Sequence, residues 1–492
     1  MFGLKGPNME IASLKLKNHP ILHDLELNFC DKNGKPYKNI VFAGENGTGK
    51  TTLLELLDDI AGHPRDFFLK PHKYNFKLEF RLTIEEVEAL KEVLSSPADE
   101  PTATEERCKF IIEYLAPLSS FGSGEHQYIF LGHRMKDLYG RNIDPFFHSA
   151  YSKAGITFET RPIQSVTVEQ LDLMQNLDKR KKNAEIANDI KQTLVDVYNQ
   201  DAELLSKWCT EHKGCVPSGD IIHQKISRFS KAFQEMFQNI AFKSIETRNG
   251  EKQVIFDKLG QEILLEELSS GEKQIVFRGG FLLKNMGVLD GSIVLIDEPE
   301  ISMHPRWQGK IFSFYSNLFK PTPEEEQKSQ IFFATHSEYV LKEAMDNGAK
   351  IIVLTETDDG LKRHDIDDKY VLPYGPTYAE IKYLAFNIPT IELHDELYGY
   401  IQDKNKCENV KALEEFFCSC GIELCKSWSI LSGGTFGPVM PSSLMTYIRN
   451  YYHHPDAIHG KDNPAHPTEP SEEDMKKSIE NMMNILQTDG TL

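Results

Sequence analysis

The sequence predicts an α/β nucleotide-binding fold with a mixed or parallel sheet, a helical insertion and a C-terminal helical domain. Three observations predict this fold class. A glycine-rich loop follows one short apolar run, two carboxylates follow a second run, and a histidine follows a third. Continuous apolar runs of this kind are typical of strands that are buried on both faces of a parallel sheet.

The glycine-rich loop has the pattern Gly-x-x-x-x-Gly-Lys-Thr over residues 44–51, between an apolar strand at 40–43 and a helical stretch at 52–57. Glycines let successive N–H groups turn toward phosphates, and the following helix directs its positive end at the same anion. Lys50 is expected to reach the β- and γ-phosphates of ATP, and Thr51 to bind Mg²⁺. The predicted nucleotide-binding residues here are Glu45, Asn46, Gly47, Thr48, Gly49, Lys50, Thr51 and Thr52.

Carboxylates follow the apolar run at 293–296, where a strand of the sheet is expected to end. Asp297 is the predicted second Mg²⁺ ligand, and Glu298 is predicted to orient and deprotonate the attacking water. His336 follows the apolar run at 331–334 and is predicted to contact the γ-phosphate. With Lys50, these three residues form the predicted catalytic set.

Composition and charge argue against several classes of protein. The chain has 492 residues, 40% hydrophobic and 26% charged, as is ordinary for globular proteins. It shows no apolar run of membrane-spanning length and no signal-peptide pattern, so we expect a cytoplasmic protein with no membrane partner and with its eight cysteines reduced. The net charge of −19 argues against a generally basic nucleic-acid surface but leaves a local DNA or RNA groove open.

Alternating apolar and polar residues predict strands near 12–16, 25–29 and 76–82, with further strands at 110–112 and 128–131. A helix is predicted at 84–94, followed by an exposed loop at 97–106. Helical spacing dominates from 168 to 212 and again from 221 to 240. Strands are expected again at 241–247, 253–256 and 350–354. The C-terminal region is expected to be all-helical, with helices at 391–403, 409–421, 440–454 and 471–487.

These patterns divide the chain into four parts. Residues 1–167 form the first half of the nucleotide-binding domain, and residues 168–240 form a helical insertion. Residues 241–390 form the second half of that domain, and residues 391–492 form the C-terminal domain.

The order of the motifs resembles that of ABC-type ATPases: the phosphate loop, Leu-Ser-Ser-Gly-Glu at 268–272, the acidic strand, then the histidine strand. The resemblance implies that a second copy of the chain contributes its 268–272 segment to the ATP, so two copies close on two ATP molecules. Loss of the γ-phosphate then makes dimerisation a switch. No Mg²⁺-sensing glutamine is identified. The residues implied in this contact are Ser269, Ser270, Gly271 and Glu272.

Gly-Glu-Asn-Gly at 44–47, together with the segment 268–272 and with Asp-Glu-Pro-Glu at 297–300 followed by Met-His-Pro at 303–305, resembles the motifs of the SMC-like and OLD-like ATPases. Among these ATPases, the chain resembles the ATPase subunits of bacterial anti-phage systems. The nearest resemblance is to the PtuA subunits of Septu and retron-linked systems, which work with an HNH nuclease. This implies an ATP-dependent sensor or regulatory subunit with a partner nuclease. An SMC-like DNA-repair or chromosome scaffold is the alternative, although the acidic charge and the lack of a long coiled coil count against it.

Arg449 and His454 bracket four residues in the C-terminal region, near the end of a predicted helix. This spacing resembles the Arg-x-x-x-x-His motif of HEPN domains, four-helix units that often act as metal-independent RNases. The resemblance implies that His454 does acid–base work and that Arg449 holds a phosphate. Two interpretations stay open, an active RNase effector and an inert docking or assembly domain.

Overall fold

The computed structural model describes residues 10–62, 67, 72–83, 107–114, 129–130, 133–134, 149–155, 158–167, 171–172, 183–217, 225–285, 291–320, 327–357, 360–366, 371–459 and 463–488. The chain divides into two compact units, residues 1–364 and 365–492. The second unit includes the helix Tyr378–Phe386, which the sequence division assigned to the nucleotide-binding domain. None of the described helices is both long and apolar enough to cross a membrane. The described cysteines are free thiols.

The described strands up to residue 365 form three sheets. The strands are β1 (Glu10–His19), β2 (His23–Asn28), β3 (Asn39–Ala43), β4 (Asn75–Thr83), β5 (Arg107–Tyr114), β6 (Ile129–Phe130), β7 (His133–Arg134), β8 (Ser149–Ser152), β9 (Ile240–Arg248), β10 (Glu251–Lys258), β11 (Gln261–Leu264), β12 (Ile293–Asp297), β13 (Gln330–Ala334), β14 (Lys350–Thr357) and β15 (Gly360–Asp365). The strands predicted from alternation are confirmed. The predicted helix at 84–94 and loop at 97–106 lie outside the described residues.

The central sheet has the order β15-β14-β3-β13-β12-β8. Strands β14, β3, β13, β12 and β8 pair in parallel, which confirms the predicted parallel core. Every residue of β12 and β13 is buried, as their continuous apolar runs predicted. Because parallel strands end at one edge, the segments that follow β3, β12 and β13 meet there.

The second large sheet is antiparallel and has the order β2-β1-β4-β5-β6-β7. Its predicted alternation is observed in β1, where Leu14 and Leu16 are buried and Lys15 and Lys17 are exposed. Leu14 lies opposite Leu27 of β2 and Leu78 of β4 in the register. These side chains share one core with the helix that follows the phosphate loop. A third sheet, β11-β10-β9, is also antiparallel.

Helices of the first unit are interspersed with its strands along the chain. The phosphate-loop helix buries Leu53, Leu54, Leu57 and Ile60. Within the range predicted to be a helical insertion, the described residues form two helices, and residues 168–170, 173–182 and 218–224 lie outside the described set. The helices are Lys50–Gly62, Asn183–Glu211, Ser227–Met236, Ser270–Gln274, Gly280–Lys284, Pro305–Leu318 and Glu338–Asp346, with a π-helical turn at Ile275–Gly279.

The second unit is built around the four helices that the sequence predicted. Each of the four begins with a side-chain cap, in which Thr390, Asn409, Ser443 and Ser471 accept a hydrogen bond from a backbone N–H three residues later. Their apolar faces form a separate core. The helices of this unit are Tyr378–Phe386, Ile391–Lys404, Val410–Ser419, Leu444–His453, Pro455–His459 and Glu472–Thr488.

The expectation that the C-terminal region is all-helical is wrong. Four short strands lie between the second and third predicted helices and form two hairpin pairs, β16 (Lys426–Trp428) with β19 (Met440–Ser442) and β17 (Leu431–Ser432) with β18 (Thr435–Phe436). Gly433 and Gly434 both have positive φ and make the tight turn. Strands of two or three residues are too short to show a period in the sequence, and β19 moves the start of the third helix to Leu444.

Candidate active site

The phosphate loop requires glycine at its fixed positions for steric reasons. Gly47 and Gly49 have φ values of 87° and 82°, in the region that favours glycine. Gly44 has φ 138°, and a Cβ there would lie 2.2 Å from the carbonyl oxygen of Leu354. Glu45, at the start of the loop, is exposed, as are the next two residues. The loop therefore presents backbone rather than bulky side chains, as binding of a phosphate chain requires.

Lys50 lies buried against its own loop. Its Nζ donates to the carbonyl oxygens of Gly44 at 2.9 Å and Glu45 at 2.7 Å, and lies 3.3 Å from Thr48 Oγ1. Burial lowers the pKa of Lys50 to about 8, although nearby carboxylates act in the opposite direction. At neutral pH most molecules therefore hold a positive charge inside the loop, where an anion is favoured.

Thr51 and Asp297 meet as the sequence predicted. Thr51 Oγ1 donates to Asp297 Oδ2 at 3.0 Å, and the Tyr151 hydroxyl donates to the same oxygen at 3.4 Å. Among the described residues, the buried Oδ1 of Asp297 has no hydrogen-bond partner, and burial raises the pKa of this carboxyl group. A hydroxyl and a carboxylate oxygen are the donors that Mg²⁺ prefers, so this pair fits a magnesium ion.

Glu298 and His336 face each other across the sheet edge. Glu298 Oε1 lies 3.6 Å from His336 Nε2, and both side chains are about one-third exposed or less, at 33% and 29%. Burial, followed by the charge of Lys50, lowers the pKa of His336 to about 4, so the imidazole is neutral at pH 7. The backbone of Glu298 has φ 44°, and its N–H donates to the carbonyl oxygen of Ala334 at 2.8 Å. The carboxylate that is predicted to be catalytic thus stands on a turn with a strained backbone, which this hydrogen bond holds in place.

A fully buried arginine, which the sequence reasoning missed, holds this turn. Arg278 Nη1 donates to the carbonyl oxygen of Glu298 at 2.9 Å, and Nη2 donates to that of Asp297 at 2.5 Å. Its Nε and Nη2 also donate to the hydroxyl and the carbonyl oxygen of Ser152, both at 2.9 Å. A lone charge inside the apolar stretch 275–283 was the available signal, because buried arginines are rare unless paired. Tyr151 and Glu300 gave no comparable signal.

The segment at 268–272 forms a helix start at the surface. Ser269 Oγ accepts from Glu272 N at 3.4 Å, and Glu272 Oε2 accepts from Ser269 N at 2.8 Å, which is a capping box. Gly271 packs closely, since a Cβ there would lie 2.7 Å from the carbonyl oxygen of Ser302. The side chains of Ser269 and Ser270 are exposed. Their contact with the ATP of a second copy stays a prediction.

In the second unit, the structure brings Arg449 and His454 together. Arg449 Nη1 lies 3.2 Å from His454 Nε2. Burial and the charge of Arg449 lower the pKa of His454. An acidic residue that the sequence reasoning missed, Asp395, contacts the residue before His454: Asp395 Oδ2 lies 2.6 Å from Nε2 of His453. The HEPN-like assignment of this unit stays a prediction.

Comparison with known proteins identifies the family of the first unit. Residues 40–342 match the family model described as "AAA domain, putative AbiEii toxin, Type IV TA system". A curated relative, the "Retron Vc95 probable ATPase" of Vibrio cholerae serotype O1 biovar El Tor, is 25% identical over 222 residues, which are 43% of this chain. The matched segment spans 38% of that relative's length.

Two solved structures are similar in part. The SMC head domain from Thermotoga maritima gives a TM-score of 0.37 at 14% identity, covering 72% of this chain and 98% of that one. The Smc head domain with an extended coiled coil, bound to the C-terminal domain of ScpA derived from Pyrococcus furiosus, gives a TM-score of 0.38 at 13% identity, covering 73% of this chain and 96% of that one.

The family match includes the phosphate loop, the acidic strand and His336, and it spans more than half of the chain. The chain therefore belongs to this AAA family and carries an ATPase domain.

Proposed function

We propose that the chain is the ATP-hydrolysing sensor or regulatory subunit of an anti-phage defence system, of the PtuA kind, and that it controls a partner nuclease. The observation that carries the ATPase part is the convergence of Thr51, Asp297, Glu298 and His336 beside Lys50 at one sheet edge. The family match and the retron relative support the defence context.

The chain's own residues account for hydrolysis. Lys50 neutralises charge on the β- and γ-phosphates of the substrate, and Glu298 orients the attacking water and takes its proton. Neutral His336 hydrogen-bonds the γ-phosphate or the water held by Glu298. Thr51 and the unpaired Oδ1 of Asp297 would hold Mg²⁺, which when bound neutralises charge that develops on the phosphates.

Two copies of the chain are proposed to close on two ATP molecules. Exposed Ser269 and Ser270 support this arrangement, because the helix start presents hydroxyls at a surface rather than at an interior contact. Each copy would add charge-assisted hydrogen bonds of about 1.5–3 kcal/mol to the γ-phosphate held by the other. Hydrolysis removes the anion that these bonds need, so the dimer reports the nucleotide state.

The proposed partner is an HNH nuclease. The test is co-purification of the tagged chain with an HNH nuclease encoded beside its gene, followed by phage plating on cells that carry both proteins. Glu298→Gln and Lys50→Ala serve as matched variants, one expected to bind ATP without turnover and the other to lose binding. The proposal is supported if the parent chain forms the complex and protects the cells, and neither variant does both. A nuclease that protects equally without this chain rejects it.

A second candidate function is RNA cleavage by the chain itself. The observation in its favour is the 3.2 Å approach of Arg449 Nη1 to His454 Nε2 at a partly open surface. Purified chain would be incubated with total tRNA and with duplex DNA, with and without ATP and Mg²⁺. Cleavage of tRNA that His454→Ala abolishes, and that the surface variant His212→Ala retains, places the effector in this chain. No cleavage in any lane rejects this candidate.

A further inference from the structure

Glu300 is a buried carboxylate two residues beyond the predicted catalytic Glu298, and none of the roles above uses it. Its Oε1 accepts two hydrogen bonds from the turn that follows β13, one from Thr335 Oγ1 at 2.7 Å and one from the backbone N–H of His336 at 2.8 Å. The carboxylate therefore contacts the residue that carries the imidazole, through its backbone rather than its ring.

This contact bridges the segments that follow β12 and β13. A second bridge is the hydrogen bond from Glu298 N to the carbonyl oxygen of Ala334, at 2.8 Å. The bridges fix both backbones at the point where Glu298 Oε1 and His336 Nε2 face each other over 3.6 Å. The turn is also held on its other side, because Thr335 N donates to the carbonyl oxygen of Phe42 at 3.0 Å. A shift of the turn away from Glu300 would change the distance between Glu298 Oε1 and His336 Nε2 directly.

Simple helix capping does not explain the contact. The helix Glu338–Asp346 already has its own cap, because Ser337 Oγ accepts from Val340 N at 3.4 Å. Thr335 Oγ1, which donates to Glu300, also accepts from Ser337 N at 3.0 Å. Two consecutive hydrogen bonds, from Ser337 N to Thr335 Oγ1 and from Thr335 Oγ1 to Glu300, therefore orient the turn relative to the acidic strand.

We propose that Glu300 is a positioning residue for ATP hydrolysis, which fixes the turn carrying His336 so that its imidazole faces Glu298. The inference rests on the proposed ATPase function. Glu300 touches no reacting atom, so its loss should lower kcat while ATP binding by the phosphate loop persists.

The test is steady-state ATP hydrolysis by the full chain and its variants, with ATP binding measured in parallel. Glu300→Ala should lower kcat by about 10- to 100-fold, because small misplacements of catalytic groups cost this much, with KM within about twofold. Glu300→Gln keeps an oxygen acceptor for both donors and should recover most of the loss. If Glu300→Ala does not fold, Thr335→Val removes one donor at nearly constant volume and should also lower kcat.

Glu343→Ala is the matched control. Like Glu300, Glu343 accepts two hydrogen bonds, here from the backbone N–H groups of Phe312 at 3.0 Å and Ser313 at 3.2 Å, but its carboxylate does not contact the turn of His336. This variant should lose stability and keep the parental kcat. An equal fall of kcat in Glu343→Ala and Glu300→Ala would assign the effect to general destabilisation and overturn the inference.

A double-mutant cycle with His336→Ala separates positioning from an independent role. If Glu300 acts through His336, the double variant should turn over ATP at the rate of His336→Ala alone. Additive losses would overturn the inference.

Hydrogen exchange of the peptide around 335–337 gives a readout that does not depend on turnover. Exchange there should be faster in Glu300→Ala than in the parent, and it should stay at the parental rate in the control Glu343→Ala. A parent chain that hydrolyses no ATP rejects the proposed function, whereas unchanged exchange at 335–337 rejects the inference.

Discussion

Thr51 Oγ1 donates a hydrogen bond to Asp297 Oδ2 at 3.0 Å, although 246 positions separate the two residues in sequence. The bond spans the sheet edge, because β13 lies between β3 and β12. It joins the first turn of the phosphate-loop helix to the end of the acidic strand, and it leaves Asp297 Oδ1 unpaired among the described residues. Two oxygens suited to one hard cation are therefore held together before any substrate arrives.

Thr51→Val should weaken ATP binding only when Mg²⁺ is present. The variant removes the hydroxyl at nearly constant volume and leaves Lys50 in place. We expect an affinity loss of about 10- to 100-fold, of the size found when a group that supports a metal is removed. Titration calorimetry or filter binding with Mg²⁺ and with excess chelator checks this. An equal loss in chelator would contradict a magnesium role for Thr51.

Gly44→Ala should destabilise the fold far more than Gly47→Ala does. Both glycines have positive φ, but only at Gly44 would a Cβ meet backbone, 2.2 Å from the carbonyl oxygen of Leu354. At Gly47 no atom lies within 4 Å of the Cβ position among the described residues. We expect a cost of about 1–3 kcal/mol from strain alone at Gly47 and a further 1–3 kcal/mol from the clash at Gly44. Urea unfolding without nucleotide measures the difference, and equal costs would contradict the close approach.

His336 should make the first unit more acid-sensitive. Its folded-state pKa of about 4 lies below the ordinary value of 6.5, so the unfolded chain takes up this proton first as pH falls. The free energy of unfolding should therefore drop by up to about 1.4 kcal/mol per pH unit between those values, and His336→Ala should remove this contribution. Thermal unfolding at pH 7 and pH 4.5 without nucleotide compares the two. A parallel loss in both proteins would show that the histidine is not buried as described.

Ser270→Arg should block the proposed ATP-dependent dimer. The exposed serine lies at the start of the capped helix, where an arginine would fill the space that the proposed contact with a second copy's ATP needs. In the Glu298→Gln background, sedimentation with ATP and Mg²⁺ should show a dimer that Ser270→Arg abolishes. Ser206→Arg, an exposed serine in the helix Asn183–Glu211, is the matched control and should still dimerise. A dimer in both variants would reject the role of the 268–272 segment.

The sheet edge that carries Lys50, Asp297, Glu298 and His336 was predictable because short-range patterns determine it. Each of these residues follows an apolar strand or lies in the glycine loop, so no knowledge of long-range contacts was needed to locate it. The C-terminal helices were predicted for the same reason, since their spacing and caps lie within single segments.

The supporting residues could not be predicted by these short-range rules. Glu300 and Tyr151 make contacts between segments that are distant in sequence, and no local pattern marks such contacts. Arg278 stood out only as a lone charge in an apolar stretch, which did not reveal its backbone partners. The short C-terminal hairpins were missed because strands of two or three residues carry no period. The pairing of Asp395 with His453 likewise depends on how two helices pack.

The most direct test of the central claim is ATP turnover by Glu298→Gln beside the parent, with ATP binding measured on the same samples. The account predicts that the parent hydrolyses ATP, and that the variant binds ATP with similar affinity but turns it over about 100-fold or more slowly, as is expected when a general base is removed. Equal turnover by the variant would contradict the assignment of Glu298 as the residue that activates water.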